Sequence, residues 1–314
     1  MGSAVGTSLS LALEQSDHVE AIAGFDLEPP RRWLRRAEFH FARPGDGERV
    51  TRIVREFQPT VVIHAWVFEP RARSSPGQAR ARTVAGTESL YGALAKVDTV
   101  EHIVVRSGTA VYGRGRATPV RPSVHTSPRP TTYFGDMLAR VEERTAETAD
   151  HLGATHASVR IGPITAAQLP NPLGRFLLLP VVPIPLTTRR FGVVHLSDVG
   201  SAIAAAAVHG HDGPLNVMSA EPVTPMEAVT IGRRVPLPVL PTAFRLGRML
   251  GELSGTPIPE HLAETLSKGN VVEPSDLTAL GMEYEYSTRQ ALKDLYAAGR
   301  LIEVDASTMS AEAN

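Results

Sequence analysis

The sequence predicts an α/β protein built on a doubly wound parallel sheet. Short apolar runs alternate with helical stretches through the first half of the chain. Beyond about residue 165 proline becomes frequent and this alternation stops. We therefore expect a sheet domain over residues 1–164, to which 191–212 return, a smaller C-terminal part over 165–300, and a flexible tail over 301–314.

Each element is predicted from the spacing of its apolar residues. The run from Thr60 to Ala65 is almost continuously apolar, as expected for a strand that is buried on both faces. Met137 and Val141 lie one helical turn apart and give the segment around them an apolar stripe. In chain order we predict strands at 18–26, 37–42, 60–65, 101–107 and 156–161, and helices at 49–57, 78–96 and 133–151.

Composition excludes several classes of function. The 314 residues carry a net charge of -1, which gives no electrostatic reason to expect nucleic acid as a partner. The chain has no cysteine, so disulfide and thiolate chemistry are excluded. No run reaches the ~18 apolar residues that a membrane helix needs, and the start lacks the layout of a signal peptide. We expect a cytoplasmic protein with no metal site.

The most informative motif is a pair of segments in the middle of the chain. A strand-like run ends in the residues from Ser107 to Thr109, and the segment from Tyr133 to Met137 follows it. Together they resemble the catalytic half of an extended, here atypical, short-chain dehydrogenase/reductase, the NAD-dependent epimerase/dehydratase family. The resemblance implies a Rossmann-type sheet, NAD as cofactor with NADP possible, and a small, nucleotide-sugar-like substrate.

The chain departs from that family at the two positions that carry its chemistry. Where the family has a Ser or Thr at the strand end, this chain has Gly108. Where the family has the lysine of Tyr-x-x-x-Lys, this chain has Met137. A phenol ionises near pH ~10, and the lysine one turn away favours the phenolate through its charge. A thioether cannot do this. Tyr133 and the neighbouring Thr109 are the catalytic candidates that remain, and the resemblance predicts a degenerate active site.

The cofactor side of the resemblance begins at the first residues. Gly2, Ser3 and Gly6 resemble the last part of the family's glycine-rich loop, with Gly6 where the helix packs closely on the strand. The loop's first glycine and the strand before it are not in the sequence. That strand is central, and its loss leaves two unpaired edges. We expect either a natural start upstream of Met1 or another segment in its place.

Four further positions complete the predicted cofactor site. Asp26 ends its strand about twenty residues after the loop, where an acid bonds the ribose diol of NAD. A carboxylate repels the 2′-phosphate of NADP, although the arginines between 31 and 36 offer the opposite preference. His64 and Ala65 resemble the family's His-Ala-Ala strand end, with His64 as a packed side chain. Ser107 lines the same edge.

The likeness continues to about residue 296 and adds two predictions. Arg175 and Arg190 stand near positions where related enzymes bind a nucleotide diphosphate, for which the planar guanidinium is suited. Helices 78–96 and 133–151 are those through which related proteins form a homodimer.

Three functions stay open at this point. The first is an NAD(P)-binding protein whose classical catalysis is lost. The second is an active epimerase or oxidoreductase on a nucleotide sugar that uses substitute acid–base residues. The third is an interaction protein that has lost the cofactor as well.

Overall fold

The structure is a computed structural model and describes residues 1–70, 74–167, 169, 171–240, 244 and 258–297. The predicted flexible tail, 301–314, lies outside the described residues. The domain boundaries proposed from the sequence stay predictions.

The first half of the chain alternates helices and strands. The observed ends agree with the predicted ones to within about three residues, except that the first strand begins four residues later, at Ile22. In order the elements are α1 (Ala4–Glu14), β1 (Ile22–Asp26), β2 (Ala37–Phe41), α2 (Gly47–Phe57), β3 (Val61–His64), α3 (Pro76–Leu94), β4 (His102–Gly108), a 3₁₀ turn (Thr109–Tyr112), α4 (Tyr133–Leu152) and β5 (Thr155–Ile161).

The second half has shorter elements. They are β6 (Ile164–Thr165), α5 (Pro172–Leu177), β7 (Val181–Pro185), β8 (Val194–His195), α6 (Leu196–Val208), β9 (Gly213–Val217), α7 (Pro225–Ile231), β10 (Val235–Val239), α8 (Glu260–Lys268), a 3₁₀ turn (Thr278–Leu280) and α9 (Thr288–Ala297).

A parallel sheet of four strands, in the order β3-β4-β5-β9, forms the centre of the molecule. Apolar residues of α1 and α6 pack together with β4, β5 and β9 in one buried core. Residues of α2 and α3 form a second core with β3 and β4. The predicted α/β class with a parallel sheet is confirmed.

Sequence signals fix where the helices begin. Ser75 and Gln78 exchange hydrogen bonds in a capping box at the start of α3, with Pro76 at the first helical position. Thr132 caps α4 by accepting the N–H of Gly135. Gly153 ends α4 in the left-handed conformation, with φ 67°. These caps set the register of α4, which decides which of its side chains face the sheet.

The sheet is interrupted between β1 and β3. β1 pairs in parallel with β2 only, and no described strand lies between β1 and β3. A cavity of about 720 Å³ fills this position, and we call it the slot. A five-residue strand packed between two neighbours occupies about 800 Å³, so the slot has the size of one strand. Its lining includes apolar side chains of three helices: Leu9, Leu13, Ile53, Val54, Leu90 and Leu94.

The proline-rich second half of the chain also contains regular strands. Residues 181–185 form β7, which pairs in parallel with β10. The prolines alternate with other residues in both strands, at 183, 185, 236 and 238. A strand needs the N–H of every second residue for a given ladder, so alternate prolines are tolerated.

None of the helices in the described parts of the chain is long and apolar enough to cross a membrane.

Candidate functional site

The carboxyl ends of β3, β4 and β5 meet at one edge of the central sheet. A cavity of about 140 Å³ lies there, and we call it the edge cavity. The end of β4, from Arg106 to Gly108, lines it together with parts of α4 and α8. Ligands of open α/β sheets bind outside the carboxyl ends of the strands, so this is the candidate site.

Helix α4 presents Phe134 and Leu138 to the edge cavity. Tyr133, one residue earlier, is not among the cavity's lining residues and is 39% exposed. The guanidinium of Arg80 lies 5.4 Å from the centre of its ring. Met137 is buried and is also absent from the lining. The structure therefore does not bring the predicted Tyr133 to the site, and α4 supplies neither a phenol nor an ammonium there.

Gly108 and Thr109 do reach the edge cavity. A Cβ added at Gly108 would lie 3.2 Å from Cδ1 of Leu138 and 3.3 Å from the carbonyl oxygen of Ile161, so a serine there requires these neighbours to shift by a few tenths of an ångström. Thr109 is buried, and its hydroxyl oxygen accepts a hydrogen bond from the Nδ2 amide of Asn270 at 3.0 Å.

Sequence reasoning missed the most polar part of this site. Nε2 of His261, on α8, lies 2.9 Å from Oε1 of Glu69, which follows β3. The imidazole also packs against the ring of Phe134, with ring centres 4.4 Å apart. His261 and Glu69 are 192 residues apart in the chain and belong to no family motif. No local sequence signal identifies them.

Two arginines line the edge cavity with these groups. Arg106 donates to the carbonyl oxygen of Val67 at 3.1 Å. Burial lowers the pKa of its guanidinium, an effect that the nearby Glu69 opposes. Burial also lowers the pKa of Arg114, to about 10, against the opposing charge of Glu264. Arginine keeps its proton in proteins, so these two side chains give the cavity fixed positive charge.

Beside the cavity lies a set of bonded polar side chains that we call the buried network. Arg160 donates to both carboxylate oxygens of Glu142, at 3.0 and 2.7 Å. It also donates to the hydroxyl of Tyr112 at 3.0 Å, which in turn donates to Oδ1 of Asn216 at 2.7 Å. The hydroxyl of Ser107 donates to Glu142. Ser107 therefore faces the cavity as part of this network.

The predicted dinucleotide loop lies at the start of α1. The side chain of Ser3 caps the helix by accepting the N–H of Gly6 at 3.0 Å. A Cβ at Gly6 would lie 2.8 Å from Cα of Met1, and one at Gly2 would lie 1.9 Å from the carbonyl oxygen of Glu28. Both glycines are therefore required by close backbone contacts. The positive end of the helix dipole at this place is suited to a pyrophosphate.

Asp26 ends β1 at the same place, as predicted. Its Oδ2 accepts from the N-terminal amine of Met1 and from the N–H of Ser3, both at 3.2 Å. Its Oδ1 accepts from the N–H of Leu27 at 2.8 Å and from the indole N–H of Trp66 at 3.3 Å. Burial alone would raise the pKa of Asp26, but the amine and these donors lower it. The carboxylate is ionised and is suited to accept hydrogen bonds from a ribose diol. A ribose hydroxyl would replace one of the donors that lie 3.2–3.3 Å away.

His64 is held as a neutral, packed side chain. Burial lowers the pKa of its imidazole to about 4. Its Nε2 lies 2.8 Å from the hydroxyl of Thr87, and among the described residues its buried Nδ1 has no hydrogen-bond partner. His64 and Ala65 both line the slot. These positions agree with the packed role that the sequence predicts for His64.

The two predicted substrate arginines lie away from the edge cavity, since neither lines it. Arg190 donates to the carbonyl oxygen of Pro222 at 2.8 Å and pairs with Glu227 at 3.2 Å. Arg175 lies on α5 and is exposed. Their role in binding a nucleotide diphosphate stays a prediction.

Comparison with known proteins identifies the family. The model of the NAD dependent epimerase/dehydratase family matches residues 3–160, which is half of the chain. The chain belongs to this family. Its matched part contains α1, β1 to β4 and α4, and so covers Ser3, Gly6, Gly108 and Met137.

Relatives resemble the whole chain. UDP-glucose 4-epimerase of Thermus thermophilus, in complex with NAD, is 20% identical and superposes with a TM-score of 0.72 over 95% of this chain and 96% of that chain. dTDP-glucose 4,6-dehydratase of Bacillus anthracis, also with NAD, is 14% identical, with a TM-score of 0.69 over 95% and 93%. An uncharacterized protein of Mycobacterium tuberculosis is 23% identical over 93% of this chain and 80% of its own length.

Proposed function

We propose that this protein binds NAD and a small, nucleotide-sugar-like ligand at the carboxyl edge of its sheet, without the tyrosine–lysine relay of its family. The observation that carries the proposal is the orientation of α4, which presents Phe134 and Leu138 to the edge cavity. The cofactor half of the site retains Gly6 at the start of α1 and Asp26 at the end of β1. Helix α4 presents no lysine to the edge cavity.

NAD binding is supported by charge and by position. The N-terminus of α1 favours an anion, and Asp26 at the end of β1 offers carboxylate oxygens for hydroxyl groups. The negative charge of Asp26 disfavours the extra phosphate of NADP. The epimerase and the dehydratase whose structures contain NAD share this fold. When bound, NAD would supply the acceptor for a hydride.

Calorimetry tests the cofactor proposal directly. We expect NAD to bind more tightly than NADP, and Asp26→Asn to reduce that preference because it removes the repelling charge. Asp46→Asn is the matched control, since Asp46 caps α2 away from this site. Absence of heat with NAD and NADH at millimolar concentration would contradict the proposal and favour the third function, an interaction protein without cofactor.

A second experiment tests the missing relay. Phe134→Tyr and Leu138→Lys, combined with Gly108→Ser, place the family's three groups on the face that lines the edge cavity. We expect this variant to gain at least tenfold in reduction of NAD by a nucleotide sugar such as UDP-glucose. Met137→Lys with Gly108→Ser, which uses Tyr133 as the phenol, is the comparison. An increase in NAD reduction only in the Met137→Lys, Gly108→Ser variant would show that Tyr133 reaches the site.

The homodimer is proposed through the outer face of α3 and α4. Val84 is 45% exposed there, and the exposed Tyr133 carries the guanidinium of Arg80 over its ring. Arg144 of α4 bonds Glu88 of α3 at 3.2 Å, which holds the two helices together. Val84→Asp is expected to give a monomer in sedimentation velocity; an unchanged sedimentation coefficient would exclude this face. The cytoplasmic location stays a prediction from the sequence.

A further inference from the structure

The edge cavity contains a histidine–carboxylate pair that no family motif explains. Oε1 of Glu69 accepts from Nε2 of His261, and both residues line the cavity. Among the described residues nothing bonds Nδ1 of this imidazole. The pair comes from two separate parts of the chain, the segment after β3 and helix α8, so its formation depends on the complete fold.

The packing of this pair restricts the imidazole to one orientation. Phe134 lies against one face of the ring at 4.4 Å between ring centres, tilted by 32°. Only 9% of His261 is exposed. A carboxylate that accepts from one ring nitrogen holds the proton there and leaves the lone pair on the other. The geometry assigns the proton to Nε2 and the lone pair to Nδ1.

We propose that His261 is the proton-exchanging group of the edge cavity, with Glu69 as its positioning residue. This inference rests on the proposed function, because it concerns the same ligand site. Histidine is the side chain most suited to proton transfer near neutral pH. Glu69 stabilises the imidazolium that forms when Nδ1 takes a proton, as carboxylates do in other histidine-based sites.

The chemistry is the oxidation of a secondary alcohol. The O–H bond of a substrate hydroxyl breaks as an N–H bond forms at Nδ1 of His261. The C–H bond of the carbon that carries this hydroxyl would break as well, bound NAD would accept the hydride, and a ketone would result. The reverse sequence returns the proton and the hydride. In this reaction His261 takes the role of the family tyrosine, and α4 presents the apolar ring of Phe134 to the cavity.

The other lining groups are suited to a polyhydroxylated ring. The carboxylate of Glu264, the hydroxyl of Thr109 and the amide of Asn270 offer both acceptors and donors. Arg106 and Arg114 add donors that stay charged. These groups already bond one another or their neighbours: Asn270 bonds Thr109 at 3.0 Å, and Glu264 bonds Thr131 at 2.9 Å. The hydroxyl groups of a sugar ring can exchange into such contacts as donors and as acceptors, which an apolar ligand cannot do.

The test is a single-turnover reaction with NAD bound and UDP-glucose as the probe, followed by absorbance at the wavelength of reduced nicotinamide. We expect slow but measurable reduction in the wild-type protein. His261→Gln should slow it by about 100-fold, the usual range for loss of a general base. Glu69→Gln should lower the single-turnover rate constant by about tenfold, with the half-saturating concentration of UDP-glucose unchanged, because it acts through His261. Tyr133→Phe, the matched control, should stay within threefold of the wild type.

A second measurement does not depend on turnover. Diethyl pyrocarbonate acylates an imidazole nitrogen that carries a lone pair, and mass spectrometry reports it residue by residue. We expect acylation of His261 that is slowed at least fivefold by UDP-glucose, while the buried His64 stays unmodified. Equal acylation with and without UDP-glucose would overturn the assignment.

The outcomes separate this inference from the proposed function. Failure of NAD to bind in calorimetry overturns the proposed function itself. Binding of NAD and UDP-glucose without reduction in the wild type, full activity in His261→Gln, or loss of activity in Tyr133→Phe overturns only the role of His261. Binding of NAD without UDP-glucose overturns the sugar as ligand class.

Discussion

The buried network and the slot lie in the same sheet and are built in opposite ways. In the buried network each charge has a partner: Arg160 and Glu142 bond each other, and Ser107, Tyr112 and Asn216 bond around them. In the slot the facing edges of β1 and β3 share no ladder, and apolar side chains of three helices contribute to the lining. The buried network is stabilised by specific hydrogen bonds and an ion pair, whereas the slot depends on the packing of the side chains around it. The two regions should therefore respond differently to mutation and to acid.

The largest expected effect comes from breaking the buried network. Glu142→Ala leaves Arg160 charged in a buried position with no carboxylate, which costs about 3–5 kcal/mol of unfolding free energy. Guanidinium unfolding followed by circular dichroism measures the loss.

The control for this prediction lies on the same helix. Glu147 bonds Arg144 at 3.3 Å on the exposed surface of α4. Glu147→Ala should change the unfolding free energy by less than about 1 kcal/mol, as expected for exposed ion pairs. Equal losses in the two variants would show that the network gains nothing from burial.

The next largest effect is a loss of stability in acid that is caused by His64, which lines the slot. The folded protein holds His64 neutral, with a pKa of about 4, whereas an unfolded histidine titrates near pH ~6.5. The unfolded state therefore binds the extra proton first as the pH falls. Stability from this group is complete above pH ~6.5 and is lost progressively down to pH ~4, in total about 3 kcal/mol.

Unfolding measured at several pH values checks the sign and the size. His64→Leu should lose less stability than the wild type over this window, because it has no imidazole to protonate. His102, whose pKa is also lowered by burial, contributes with the same sign in both proteins and cancels in the comparison. Parallel pH profiles for wild type and variant would contradict the prediction.

The sequence predicted local features well and long-range contacts poorly. Asp26 was correctly predicted at the end of β1, because its position follows from a local apolar run and from its spacing after the glycine-rich loop. The gap in the sheet beside β3 was also predicted, from the order of the predicted strands along the chain. His261 and Glu69 were missed because their contact joins residues 192 positions apart, and no local period reports it.

Helix α4 shows a finer limit of sequence reasoning. Its existence and its first residue, Tyr133, were predicted. Which residues face the cavity depends on helix rotation, and each residue turns the helix by about 100°. One position of difference therefore exchanges Tyr133 for Phe134 and Met137 for Leu138 at the site. Contacts of Gly135 with Ala110 and Pro130, where a Cβ would lie 2.4 and 3.1 Å away, fix this rotation.

A matched pair of valines compares the packing of the slot with that of the complete sheet. Val104 lies in β4, fully buried between two paired strands, and Val62 lies in β3 at the edge of the slot. Val104→Ala opens a new cavity and should cost about 2 kcal/mol; Val62→Ala only enlarges an existing one and should cost about 1 kcal/mol. Thermal unfolding of both variants measures the difference, and equal costs would mean that the slot is as tightly packed as the core.

The smallest effect is expected where the rim of the slot meets the cofactor site. The indole N–H of Trp66 bonds Asp26 at 3.3 Å across the gap between β3 and β1. Trp66→Phe keeps an aromatic ring against Phe25 and Gly86 but removes this donor, at a cost of about 1 kcal/mol.

The same change should improve NAD binding, which calorimetry can measure. Oδ1 of Asp26 then keeps only the N–H of Leu27 and accepts a ribose hydroxyl without first losing the indole, so we expect Kd to fall by about threefold. Double substitution with Asp26→Asn should abolish the gain, because the competition exists only at that carboxylate. Weaker binding in Trp66→Phe would instead show that the indole itself contacts the cofactor, and that the rim of the slot is part of the binding surface.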